Sequence, residues 1–264
     1  MINRLVHDKE KGYFIFALVL SVVTYLVLIF SIIGIFYILG GLLITTLLHG
    51  LMVGNILNNG VRITSNQYPE VYERTRVLCD QMGLDKVPDV YVMQSDGILN
   101  AFATRFFGRN FVVLYSDIFE LHLRHNSKEL DFIIAHELAH IQRNHIMKQL
   151  VILPALWTPF LGNAYSRACE HSCDRIAAVT VRNVEAGIRS LSLLAIGKVL
   201  FDDMNVHDYL EQHQKEKGFF VWFSHIMSTH PPLPLRINEL QQLYAYPQLY
   251  GFDPSHFEKI QTTA

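Results

Sequence analysis

From residue 12 to residue 61 the chain carries no Asp, Glu, Lys or Arg, and most of its side chains there are Leu, Ile, Val or Phe. A hydrocarbon core about 30 Å thick takes about 20 residues of helix, so this run is long enough to cross a membrane twice. The pattern predicts spans at residues 13–33 and 36–56, turning near Gly34 or Gly40-Gly41. A cleavable leader has a shorter apolar stretch and a small-residue cleavage site and does not continue into a second span. The competing reading is a buried helical hairpin inside a soluble protein. Arg4, Lys9 and Lys11 precede the first span and Arg62 follows the second, while the connecting turn has no basic residue. Positive-inside logic then puts both ends, and everything after Arg62, in the cytoplasm. The expected organisation is a transmembrane hairpin over residues 1–60 and a domain over residues 61–264, integral to the cell inner membrane.

Beyond Arg62 the pattern is that of a globular domain. Pro69 comes early, Val71, Thr75, Leu78, Cys79 and Met82 share one face and Gly83 follows, which predicts a helix over 67–82. Val87-Pro88 leads into a predicted strand at 89–94, and Phe-Val-Val-Leu-Tyr at 111–115 is another. The glycine-containing segment 106–110 predicts a hairpin-like return between them. Asn126 to Glu129 resembles a capping box, opening a helix that runs to about residue 147. Further helices are expected at 164–181, 184–200 and 235–244. The class is α+β, mainly helical with a small β-sheet, and no internal repeat interrupts it.

Composition narrows the function classes. Half the residues are hydrophobic, 17% are charged and the formal net charge is -2. No cluster of Lys and Arg is interleaved with aromatics, which argues against nucleic acid as a partner. Three cysteines, Cys79, Cys169 and Cys173, are too few for a disulfide framework and favour a reducing compartment. There is no nucleophile-elbow pattern and no phosphate-binding glycine loop.

The chemistry concentrates at His136-Glu137-Leu138-Ala139-His140. Histidines four apart lie on one helix face, so both imidazoles can reach one metal ion. Neutral imidazole suits zinc, and Glu137 sits to one side, where it can take a proton from a water activated by the metal. The surrounding helix is apolar almost all round (Leu130, Phe132, Ile133, Ile134, Ala135, Leu138, Ile141). Burying His, Glu and His there without a metal leaves polar groups unpaired at a cost of several kcal/mol. A catalytic zinc wants a third protein ligand and an open position. Glu170 and Asp174 lie four apart on a later predicted helix, so Glu170 can ligate while Asp174 accepts an N–H from a ligand histidine. His145 falls off the metal face and His171 points about 100° from Glu170, which makes both surface or supporting residues. Cys169 and Cys173 are read as small core residues. The apolar segment 149–162 cannot span: His140 and Glu170 must meet at one ion, and two crossings need about 40 apolar residues. It is expected to pack over the site or rest on a bilayer, and the aromatic stretch 218–227 to do the same or to line a substrate groove.

These motifs resemble the HtpX-like and CAAX prenyl endopeptidase family of membrane gluzincin peptidases, over nearly all of residues 68–240. The matching features are Val87-Pro88 before a strand, Asn100-Ala101-Phe102-Ala103, His136 to His140, Glu170-His171-Ser172-Cys173-Asp174-Arg175, and Thr229-His230-Pro231 followed by Arg236-Ile237. The resemblance implies a zincin-type fold with one Zn2+ per chain on His136, His140 and Glu170. It also implies substrate or oxyanion contacts for Asn100 and His230, and an ion-pair role for Arg236. Cys173 departs from the family's usual alanine. The expected function is a membrane-anchored zinc endopeptidase acting on membrane-associated or misfolded proteins, with Glu137 as general base and a protein or peptide substrate. The alternative is a membrane-tethered zinc-binding scaffold or holdase without proteolysis, against which the intact Glu137 argues. Oligomeric state, cleavage-site preference and any prenyl preference stay open.

Overall fold

A computed structural model describes residues 2–95, 97, 100–123, 128–158 and 160–258. Two apolar helices come first, α1 (Asp8–Phe30) and α2 (Ile32–Asn59). They part at Ser31, whose extended backbone (φ -97°, ψ 124°) ends one helix while its Oγ accepts the Gly34 amide at 3.3 Å to start the next. The break therefore precedes Gly34, and Gly40-Gly41 stay helical. A side chain that caps an orphan amide specifies a helix start, whereas a glycine merely permits a break. Most large side chains of both helices, among them Phe16, Phe36, Tyr37 and Leu51, face outward.

Among the described residues, four strands form one sheet in the order β1-β2-β4-β3: β1 (Val61–Arg62), β2 (Asp89–Met93), β3 (Ala101–Phe106) and β4 (Arg109–Tyr115). β2 and β4 run parallel, with Asp89 opposite Phe111 and Met93 opposite Tyr115. The expected return at 106–110 is there, but it joins β4 to β3 and not to the 89–94 strand. Phe107 and Gly108 close it with φ of 44° and 81°, both positive as a tight two-residue hairpin turn requires. The alanines of Asn100-Ala-Phe-Ala hid β3, because small side chains weaken the strand signal. Alternation nevertheless governs the sheet. Tyr91, Phe111 and Val113 pack with Val53 and Ile56 of α2, and Val90, Val112 and Leu114 face the main core.

That core is built around α5 (Lys128–Gln142), which buries Leu130, Phe132, Ile134, Ala135, Leu138 and Ala139. A helix apolar on all sides belongs in an interior. Around it lie α3 (Pro69–Met82), the short α4 (Ser116–Phe119), α6 (His145–Val151), α7 (Leu153–Leu156), α8 (Leu161–Val181) and α9 (Val184–Ile196). The chain then runs through α10 (Val206–Lys215), α11 (Phe219–Met227) and α12 (Leu233–Ala245). The buried residues of α3 are the five of the expected face, and Gly83 ends it at φ 68°. Asn126, in the expected capping box, lies outside the described residues. α5 stops at Gln142, short of the expected residue 147, because Asn144 turns left-handed at φ 55°. α9 likewise stops at Ile196, before Gly197 at φ 93°. Within α9, Gly187 is required by close packing, since a Cβ there would stand 2.7 Å from the Phe132 ring and 2.8 Å from Leu240 Cδ1. The 149–162 segment divides between the expected roles and the core: Gln149 lies beside His140 and Glu170, and Leu150, Val151 and Trp157 are exposed. Ile152 and Ala155 are buried with Ala17 of α1 and with Tyr165 and Cys169 of α8; Pro159 lies outside the described residues.

Candidate metal centre

The packing of α8 across α5 brings together side chains far apart in sequence. His136, Glu137 and His140 stand on the face of α5 that lines a cleft of about 750 Å³, and Glu170 projects into the same cleft from α8. His136 Nε2 and His140 Nε2 are 3.3 Å apart, His136 Nε2 is 3.4 Å from Glu170 Oε2, and His140 Nε2 is 3.4 Å from Glu170 Oε1. Ligands about 2.0–2.1 Å from a tetrahedral zinc stand about 3.3–3.4 Å from one another, so this triangle has the edge length such an ion requires. Two imidazole nitrogens and a carboxylate also form the donor set that zinc favours. The residues fit the metal that the sequence implied.

Behind the triangle is a second layer of charge. Asp174 is fully buried, and Arg236 from α12 grips it with two hydrogen bonds of 2.7 Å from Nε and Nη2, while its Nη1 reaches Glu170 Oε2 at 3.3 Å. Asp174 Oδ1 lies 3.0 Å from His136 Nδ1, an approach too bent to count as a straight hydrogen bond. Burial pushes the Glu170 carboxyl up, but the Arg236 guanidinium and the two imidazoles outweigh it and hold it well below the usual carboxylate range. Asp174 is held down to about 2, again by Arg236 against its burial. Burial favours a neutral His136, yet Asp174 and Glu170 raise it to about 10. The pocket favours positive charge at that ring, as a proton or as a metal ion.

The remaining expected residues gather less tightly. His230, in the loop before α12, has a side chain 64% exposed and Nε2 3.7 Å from Glu170 Oε1. Asn100 and Ala101–Ala103 line the opposite wall of the cleft, where β3 is the outer strand of the sheet. The stretch 218–227 contributes Ser224 and His225 to the cleft, while Phe219, Phe220 and Trp222 cluster on the exposed side. His171 is half-buried and stacks on His7 at 5.3 Å. His145 is no surface residue: it is 1% exposed, with Nδ1 3.2 Å from His140 Nδ1, and burial pushes it down to about 4 despite a hydrogen bond to Glu10. Cys173 and Cys169 are buried thiols whose titration is pushed up by desolvation, in keeping with core packing. Sequence reasoning missed Glu10. Its one signal was a carboxylate at the start of an apolar helix, which topology rules pass over.

Comparison with known proteins follows the same outline. A family model described as Peptidase family M48 matches residues 65–158 and 149–244. The plastoglobule-localized metallopeptidase 48, chloroplastic, of Arabidopsis thaliana is 24% identical over 228 residues, covering 77% of this chain and 65% of that protein. The chain thus spans about two-thirds, just under, of the curated relative it matches. No solved structure matches.

Proposed function

The chain belongs to peptidase family M48, a family of metallopeptidases, and from that premise we propose that it is a membrane-anchored zinc endopeptidase. The observation that carries this reading is the 3.3–3.4 Å triangle of His136, His140 and Glu170 with Glu137 beside it in the cleft. These three hold one Zn2+ per chain. When bound, the ion supplies Lewis acidity toward a carbonyl and lowers the pKa of water to about 7. Glu137 takes the proton of the attacking water and passes it to the leaving amine. Asp174 and Arg236 hold His136 and Glu170 in place, since both carboxylates share one guanidinium. A protein or peptide chain lies extended along the outer edge of β3 beside Asn100, adding a strand to the sheet through main-chain hydrogen bonds. Such recognition reads backbone, which suits unfolded or membrane-associated substrates. Purified full-length protein is expected to cleave casein, to stop when a chelator strips it and to recover with added zinc. Cleavage indifferent to the chelator would end the reading.

His230 is the oxyanion donor of this scheme. Its loop position and its 3.7 Å approach to Glu170 support an N–H facing the reacting carbonyl, a contact worth about 3 kcal/mol. His230→Ala is expected to lower kcat far more than it raises KM, with zinc content and thermal midpoint little changed. A normal kcat in a folded variant would remove the role.

The anchor is the hairpin of residues 1–60, the catalytic domain 61–264, with the domain on the cytoplasmic face of the cell inner membrane. α1 and α2 are 23 and 28 residues long and apolar on the outside, which supports two crossings. Deleting the whole hairpin is a poor test, because the first half of α1 packs on α7 and α8. A better one uses the turn. The three native cysteines are buried, so Ser31→Cys is the one thiol open to reagent. An impermeant maleimide added to intact cells stripped to the inner membrane is expected to label it. Labelling only after permeabilisation would reverse the orientation.

A further inference from the structure

Beneath the metal-binding face of α5 lies a buried polar chain that leads out of the hairpin. Glu10, in the first turn of α1, is 2% exposed. Its Oε1 accepts from His145 Nε2 at 3.2 Å and from Arg143 Nη2 at 3.1 Å, with Lys148 Nζ 4.0 Å away. Its Oε2 accepts from Ser172 Oγ on α8. His145 turns its other nitrogen, Nδ1, to 3.2 Å from His140 Nδ1. Burying a carboxylate is costly unless it is paired, and Arg143 provides the counter-charge.

Proton counting gives this chain a direction. His140 presents Nε2 to His136 and Glu170, and a neutral imidazole that ligates through Nε2 carries its proton on Nδ1. Two nitrogens 3.2 Å apart share one proton, so His145 Nδ1 is the acceptor. The His145 proton then sits on Nε2, which is the atom facing Glu10. Each donor meets an acceptor, in a single consistent order from carboxylate to imidazole to imidazole. The same atoms invite another reading, since His140, His145 and Cys173, or Glu10, His145 and Cys169, also lie within 4.8 Å of one another as a possible second metal group. Arg143 and Ser172 already engage the two oxygens of Glu10, and His145 Nδ1 already faces His140 Nδ1, so the hydrogen-bonded order accounts for these atoms without a second ion.

We infer that Glu10 and His145 are positioning residues for His140: they fix its tautomer and ring orientation, and so make zinc affinity depend on the first turn of the membrane hairpin. This rests on His140 being a zinc ligand, as proposed above. Partners one layer behind a metal ligand commonly contribute 10–100-fold in affinity. The test is zinc binding by the full-length protein in detergent, measured by competition with a chelator. Glu10→Ala and His145→Phe are expected to weaken zinc binding about 10–100-fold. Glu10→Gln, whose amide oxygen accepts the same N–H, is expected to stay near the wild type, while Glu10→Leu, which fills the space without offering an acceptor, is expected to be as weak as Glu10→Ala, a split that loss of helix packing would not show. Should Glu10→Ala not fold, His145→Phe, which keeps the ring volume, carries the measurement. Wild-type affinity in His145→Phe, or a Glu10→Gln as weak as Glu10→Ala, overturns the inference. His140→Ala with undiminished zinc affinity would instead overturn the ligand assignment beneath it.

Discussion

Glu137→Gln is expected to keep about one zinc per chain while losing activity by about 10²–10⁴-fold, the usual worth of a positioned general base. The amide is isosteric and still polar, so the cleft keeps its shape. What it loses is the ability to hold a proton between the attacking water and the leaving amine. Glu137 makes no edge of the donor triangle, which runs through His136, His140 and Glu170. Metal content is therefore expected to be unchanged, whereas Glu170→Ala, which removes the carboxylate bridging both imidazoles, is expected to empty the site at a chelator concentration that leaves the parent loaded. Elemental analysis and casein cleavage on the same preparations separate the two roles. A Glu137→Gln protein without zinc, or a Glu170→Ala protein that retains it at full affinity, would mean that ligand and base have been exchanged.

Arg236→Met is expected to be the most destabilising single change near the site. Arg236 is 5% exposed, and its guanidinium is bonded twice to a fully buried Asp174 and once to Glu170. Removing one partner of a buried pair strands the other charge, at a cost of about 3–5 kcal/mol. At about 2–4 °C per kcal/mol for a domain of this size, the thermal midpoint is expected to fall by about 6–20 °C. Arg236→Lys keeps the charge but not the planar fork that grips Asp174 through two nitrogens, and should lie between the two. The double change Arg236→Met with Asp174→Asn is expected to recover part of the loss, because the fully buried residue 174 then carries no stranded charge, although Glu170 still lacks its guanidinium partner. A midpoint within about 2 °C of the parent for Arg236→Met alone would show that the pair is not what holds α12 to α8.

The chain by itself determined whatever depends on spacing and period. Two apolar runs, the face of α3, the three residues His136, Glu137 and His140 on one helix, and the Glu170–Asp174 pair on another all follow from residues three or four apart, a relation a helix enforces locally. The Peptidase family M48 match covers α3 and both of these helical motifs, and begins after the apolar runs. Where the expectation failed, a tertiary or single-residue effect decided. Ser31 moved the hairpin turn by capping the next helix, Asn144 cut α5 short by going left-handed, and β3 was concealed by alanines whose strand geometry comes from pairing with β4. Convergence of two imidazole nitrogens and a carboxylate to 3.3–3.4 Å depends on how α8 crosses α5, where Ala135 and Ala139 of α5 and Ala177 and Ala178 of α8 lie buried in the shared core. Glu10 is the sharpest case. In sequence it is one acid among Lys9, Lys11 and Asp8, with no periodic partner to mark it. Its contacts with His145 and Ser172 span 135 and 162 residues, and contacts that distant follow no local rule, because only the docking of α1 onto α8 brings them within reach.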